Sequence, residues 1–258
     1  MPWTMIDQEL LNAAQAGDAA TVSSLLASGA DPRRHNSTAL CGAARCGHEE
    51  CVRLLLPVSD PKAKDSQALK LAAWEGNAEC VRLLLPVSDA QAGSSYALRM
   101  AATNGHEECV RLLMPMSDAK ALDSHALRTA ALYGRVECVR LLLPVSDPSA
   151  EDSDALRSAA LGGHAECVMM LLAASGPLWP SGGLLEKVLE RGHAKVAALL
   201  IEAQPKLLDG INLRKCLAEA LKNRHEDMAS YLSAIMDQKE LLRIAPDHTV
   251  LAPARARL

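Results

Sequence analysis

The run Asp65-Ser66-Gln67-Ala68-Leu69-Lys70-Leu71-Ala72-Ala73-Trp74-Glu75-Gly76-Asn77-Ala78-Glu79-Cys80-Val81-Arg82-Leu83-Leu84-Leu85-Pro86-Val87-Ser88 decides the fold. Leu69, Ala72 and Ala73 form an i, i+3, i+4 apolar stripe, the period of a helix with one buried face. Ser66 stands just before the stripe, where its hydroxyl is expected to cap the helix by accepting a backbone N–H. Gly76 is expected to end that helix in the left-handed conformation, which costs Gly little. Cys80, Val81, Leu84 and Leu85 make a second stripe. Pro86 stops it, because the ring excludes a further turn and biases Leu85 away from α. Each helix is then ~9 residues, or ~13 Å, long. A helix that short is marginal alone and must be stabilised by stacking on neighbours.

Outward from this run, the same pattern returns. Ser59-Asp60, Ser88-Asp89, Ser117-Asp118 and Ser146-Asp147 lie 29 residues apart, as do the Ala-Leu pairs beginning at Ala39, Ala68, Ala97, Ala126 and Ala155. Cys51, Cys80, Cys109, Cys138 and Cys167 keep the same interval. Three markers sharing one period across five copies describe an array that grows in one dimension. Turn markers at Gly17, Gly47, Gly76, Gly105, Gly134, Gly163, Gly192 and Arg224 bring the expected total to eight helix pairs. The last two copies are degenerate, as terminal copies should be when they cover the core with a more polar face. The expected layout is a single solenoid over 1–245: an N-terminal cap at about 5–35, regular copies at about 36–172 and degenerate copies at about 181–245. A disordered tail is expected over 246–258, and an irregular loop over Ala173 to Gly183, which contains Pro177, Trp179 and Pro180.

The runs Leu69 to Ala73, Gly76, Glu79-Cys80-Val81 and Leu84-Leu85 resemble the ankyrin repeat. So does the first copy, with Leu10 to Ala14, Gly17-Asp18, Leu25-Leu26 and Ser28-Gly29-Ala30-Asp31. The resemblance covers about Asp7 to Leu172. It implies an all-α, ankyrin-type solenoid of antiparallel helix pairs. The family copy is about 33 residues with a projecting β-hairpin. Here the deficit falls at the hairpin tip, aligned with Ser59 to Asp65, which implies shortened or absent fingers. Ala68 and Lys70 stand where the family's signature has Pro and His. The Ala-, Leu- and Arg-rich regular copies resemble bacterial members of the family, some of which are effectors delivered into host cells.

Composition narrows the function classes. The 258 residues are 49% hydrophobic but only 2% aromatic, with no Phe, so the core must be Leu, Ala, Val and Cys. No stretch approaches the ~20 apolar residues of a membrane span. A pI near 6.1 gives no global reason to expect nucleic acid, whose binding usually needs a basic face. Met1 to Leu11 lacks a basic region followed by an apolar run, so no secretory signal is expected. Eight Cys then point to a reducing compartment. A cytoplasmic location is expected, with export into a host cell as the alternative.

The chemistry-bearing residues fall into columns. Equivalent Cys in neighbouring copies should stand ~10 Å apart, beyond the ~7 Å limit for a disulfide, so buried thiols are expected. His48/Cys51, His106/Cys109 and His164/Cys167 have the spacing of a zinc half-site. Asn77 and Arg135 break that series without breaking the repeat, so no metal is expected. Cys46 is the thiol expected at the surface. Glu50/Arg53, Glu79/Arg82, Glu108/Arg111 and Glu137/Arg140 have helix ion-pair spacing and read as a solvated outer face. A second basic column, Lys70, Arg99, Arg128 and Arg157, has two readings: it meets an acidic partner, or it pairs with the loop acids Asp60, Asp89, Asp118 and Asp147.

Positions that vary within a fixed frame point to function. They are Arg45-Cys46, Trp74-Glu75, Thr103-Asn104, Leu132-Tyr133 and Leu161-Gly162 after the Ala pair, and Thr38, Gln67, Tyr96, His125 and Asp154 after the Ser. By the resemblance, both sets face a concave groove. Scarce aromatics beside Arg have the composition of binding hot spots. The expected partner-binding residues are Trp74, Glu75, Tyr96, Arg99, Thr103, Asn104, His125, Arg128, Leu132, Tyr133, Asp154 and Arg157. Neither a Gly-rich phosphate loop, a G-x-S-x-G elbow nor an H-E-x-x-H helix occurs. Glu190 and His193 lie a turn apart with nothing to mark them as an acid–base pair. No enzyme activity and no cofactor are expected. The reading is a monomeric module that binds another protein through its groove. A bacterial effector acting on a host protein and a self-assembling scaffold are the alternatives.

Overall fold

The computed structural model describes residues 4–175 and 183–244. Ala173–Ser175 extend α12 instead of opening the expected loop, because the helix runs on to Ser175; residues 176–182 of that expectation and the expected tail fall outside the described residues. Within them the chain forms eight consecutive helix pairs and no strand. The pairs are α1 (Met5–Ala16) with α2 (Ala19–Ala27), α3 (Arg34–Cys46) with α4 (Glu49–Leu55), α5 (Ala63–Glu75) with α6 (Ala78–Leu84), and α7 (Ala92–Asn104) with α8 (Glu107–Leu113). They continue as α9 (Ala121–Leu132) with α10 (Val136–Leu142), α11 (Ala150–Gly162) with α12 (Ala165–Ser175), α13 (Leu184–Glu190) with α14 (Ala194–Ala203), and α15 (Leu213–Lys222) with α16 (Glu226–Ile244).

One apolar seam runs through the stack. Leu69, Ala72, Ala73, Val81 and Leu84 are fully buried, and their counterparts one copy on (Leu98, Ala101, Ala102, Val110 and Leu113) are equally closed off. Each buried Leu or Val contributes roughly 1.5–3 kcal/mol, which lets a seven-residue helix such as α6 persist. The first helices of neighbouring copies pack on one another far more extensively than the second helices do. The stack therefore closes on the first-helix side, which becomes the inner wall.

Each first helix is followed within two residues by a left-handed one: φ is 79° at Gly47, 84° at Gly76 and 84° at Gly105. Arg224 adopts the same conformation, at φ 59°, without being Gly. Pro86 ends α6 as expected, and Leu85–Val87 continue as a single 3-10 turn.

The Ser expected just before each first helix corrects the sequence reading, because it lies inside the helix span, at the end of a left-handed kink. Ser66 does not cap its own helix. It is buried at the end of a left-handed turn, and its Oγ accepts the backbone N–H of Asp89 in the next copy at 2.8 Å. Ser37, Ser95 and Ser124 do the same for Asp60, Asp118 and Asp147, each at 2.8 Å. In the first copy the buried Asp7 carboxylate takes this place, accepting from Asp31 N–H at 3.2 Å with Arg34 Nη1 3.3 Å away. The Thr4 hydroxyl, the Asp31 N–H and Arg34 together hold Asp7 below the usual carboxylate range, against the cost of burial.

The expected short loop takes an unusual form. His35–Ser37, Lys64–Ser66, Gly93–Ser95 and Leu122–Ser124 are each three consecutive left-handed residues, with φ between 48° and 65°. A non-Gly residue there costs about 1–2 kcal/mol, so each turn survives only because the stack holds both of its ends.

Candidate protein-binding wall

The inner wall carries three parallel rows along the first helices. Lys70, Arg99, Arg128 and Arg157 form one row. One helical turn further on stand Trp74, Thr103, Leu132 and Leu161, and beside these lie Glu75, Asn104, Tyr133 and Gly162. Trp74, Leu132 and Tyr133 are 45%, 41% and 53% exposed, in a protein whose other apolar side chains mostly form the core. Trp74 and Tyr133 thus occupy adjacent rows at the C-terminal ends of α5 and α9.

Several expected site residues also serve the scaffold. The Asn104 amide donates to the Trp74 carbonyl at 2.8 Å. Thr103 Oγ1 donates to the Arg99 carbonyl at 2.8 Å and lies 3.0 Å from Thr129 Oγ1 of the next helix. Glu75 is exposed beside Trp74.

The basic column does not pair with the loop acids. Asp60, Asp89, Asp118 and Asp147 each accept the backbone N–H two residues on, at 2.9 Å, and so close their own loops. The carboxylate that meets the column is Asp154, on the wall itself. It lies 3.4 Å from Arg128 Nη1 and 3.9 Å from Arg157 Nε. Arg99 donates to the Ser94 and Gly93 carbonyls at 3.1 and 3.0 Å, and its guanidinium stacks 5.3 Å from the centre of the Tyr96 ring. Lys70 places its ammonium over the same ring, 5.7 Å from the centre. Half-buried His125 stands on the same wall. Burial, then Arg128 and Arg99, pushes its pKa down.

Nothing in the sequence connects Lys70 with Tyr96, since they belong to different copies. It also missed a ladder along the turn edge. His48 Nε2 contacts the Gln15 carbonyl at 2.9 Å, His106 Nε2 the Trp74 carbonyl at 2.9 Å, and His164 Nε2 the Leu132 carbonyl at 3.0 Å. A carbonyl only accepts, so each of these nitrogens carries the proton. Asn77 and Arg135 donate equivalently, to the Arg45 carbonyl at 2.7 Å and the Thr103 carbonyl at 3.2 Å. The readable signal was that every residue after a turn Gly from His48 onward can donate from its side chain.

This ladder also accounts for the H-x-x-C spacing: the His reaches a neighbouring carbonyl while the Cys faces the core. Cys51, Cys80, Cys109, Cys138 and Cys167 are buried, and Cys46 is exposed, both as expected. Burial pushes the Cys80, Cys109, Cys138 and Cys167 thiols up to about 11, so they stay protonated and unreactive. On the outer face the expected pairs form at 3.3–3.8 Å, and Arg82 and Arg140 also reach Glu108 and Glu166 of the following copies. His193 Nε2 contacts the Leu161 carbonyl at 3.2 Å, joining the turn-edge ladder. No helix of the described residues is long and apolar enough to cross a membrane.

Compared with known proteins, residues 10–95 and 98–178 match a family model described as ankyrin repeats (3 copies). No curated protein matches the chain.

Proposed function

The chain belongs to the ankyrin repeat family, and from that premise we propose that it is a protein-binding module whose inner wall docks a partner. Ankyrin repeats are in general protein–protein interaction modules. The observation that carries this reading is the contrast between a frame that repeats every 29 residues and a wall whose exposed residues do not. Trp74, Leu132 and Tyr133 offer apolar anchors. Tyr96, Arg99, His125, Arg128, Asp154 and Arg157 offer a charged and aromatic surface beside them. Large, rigid aromatics next to Arg supply most of the energy in protein interfaces. No catalytic role is assigned to any of these groups.

The test is Trp74→Ala combined with Tyr133→Ala. Both side chains are exposed, so the far-UV spectrum should stay unchanged while pull-down of the partner is lost. Retained capture removes the inner wall as the docking surface.

A second reading, a self-associating scaffold, draws on another column. Val58, Val87, Met116 and Val145, each just after the Pro that closes a second helix, are 40–55% exposed and recur every 29 residues. Sedimentation across a range of concentrations separates the two. A single monomeric species favours the binding module, and mass that rises with concentration favours the scaffold.

A further inference from the structure

The inner wall is not uniform in charge along its length. At α11 the carboxylate of Asp154 lies against both Arg128 and Arg157. At α5 and α7 two cations, Lys70 and Arg99, meet on the single ring of Tyr96. Among the described residues, neither has a carboxylate within ion-pair distance. Arg99 is fixed in place by the Gly93 and Ser94 carbonyls, which hold it without neutralising it. Gly93 stands where other copies have Lys64 and Leu122, so it brings no side chain of its own to cover the Lys70 ammonium. One copy further on, burial first and then Arg128 and Arg99 disfavour the protonated form of His125.

Resting on the reading above, we propose that the docked partner segment is acidic and extended, with its carboxylates seated on Lys70 and Arg99 around the Tyr96 ring. Two cations held on one ring with no counter-ion form a preorganised anion clamp, because little side-chain freedom is lost on binding. Trp74, one helical turn from Lys70, provides an apolar platform next to the clamp. An extended segment matches the spacing of packed helices. Packed helices lie roughly 8–10 Å apart, and a polyproline-type strand advances about 9 Å in three residues. Carboxylates three residues apart would therefore meet successive copies of the column. Asp154 marks where the acid-accepting stretch ends, since a further carboxylate there meets a like charge.

The experiment uses the full chain and a labelled peptide of Glu-Pro-Pro repeats, compared by fluorescence anisotropy with matched Lys-Pro-Pro and oligothymidine probes. We expect the acidic peptide to bind at least about tenfold more tightly than the basic one, with the preference shrinking as salt rises. Lys70→Glu should erase it. Arg99→Gln should weaken it and can loosen the loop it caps, so Lys70→Gln, which removes only a ring contact, serves as the second variant and should reduce the preference severalfold. Equal binding of the two peptides, a preference that survives Lys70→Glu, or tighter binding of the oligonucleotide overturns the proposal. If the peptides bind equally while a captured protein is still lost on Trp74→Ala/Tyr133→Ala, the docking wall stands and the acidic segment alone falls.

Discussion

The two edges of the stack are bonded by opposite means. Along the turn edge the donor changes from copy to copy, His48, Asn77, His106, Arg135 and His164, while the acceptor is always a backbone carbonyl of the copy before. Along the loop edge the donor is a backbone N–H and the acceptor is a side chain, which is Ser in four successive copies. A carbonyl at a helix end can be met by any donor that reaches it, so the turn edge admits variety. A buried acceptor at the end of a left-handed turn must be small and must offer a lone pair, so the loop edge does not. On both edges the later copy gives the proton and the earlier copy receives it.

The turn edge should break most visibly at Gly76. Its φ is 84°, and a Cβ there would stand 2.4 Å from His106 Nδ1. Gly76→Ala therefore strains the backbone and expels the ring that bonds the Trp74 carbonyl. We expect a loss of about 2 kcal/mol, read as a lower urea midpoint. A midpoint within error of wild type would mean that the ring is not held by the turn.

The loop edge should break at Ser95. Ser95→Ala leaves the Asp118 N–H without its acceptor and should cost about 1 kcal/mol. Hydrogen exchange at the Asp118 amide should speed up while amides in α16 stay unchanged. Unaltered exchange at Asp118 would show that the serine is not what holds the loop.

The first copy sharpens the comparison, because there the acceptor is charged. The folded pKa of Asp7 is lowered, so its stabilising effect is present above the ordinary carboxylate pKa of about 3.9 and fades as pH falls through the lower folded value. Asp7→Asn keeps an acceptor for the Asp31 N–H, so its effect at neutral pH should be the smallest of the three. The gap between mutant and wild-type stability should narrow on acidification. A gap that does not change with pH would remove the charge from the explanation.

The sequence displayed the period, the helix pairs, the left-handed Gly and the buried Cys, because each follows from local apolar spacing or from a backbone preference. It misled at Ser66, where the commonest role of a Ser before a helix is local and the actual partner lies in the next copy. The signal was present: Ser37, Ser66, Ser95 and Ser124 are each followed 23 residues later by Asp. The left-handed turns were hidden because Gly93 is the only Gly among those twelve residues, and the Asn36, Asp65 and Asp123 that also tolerate the conformation stand singly rather than in runs. On the wall, exposure of Trp74, Leu132 and Tyr133 was legible from their variation. The meeting of Lys70 and Arg99 on Tyr96 was not, because it depends on how neighbouring copies are offset in space.

The matching offsets on both edges have a consequence for how such a chain can change length. Excising Tyr96 through Ser124 would carry Asp147 to the Ser95 hydroxyl and Arg135 to the Trp74 carbonyl, so both bonds reform with new partners. Whole copies can thus be lost or duplicated by recombination with the seam intact, and the reach of the inner wall becomes a heritable quantity, separate from the stability of any one copy.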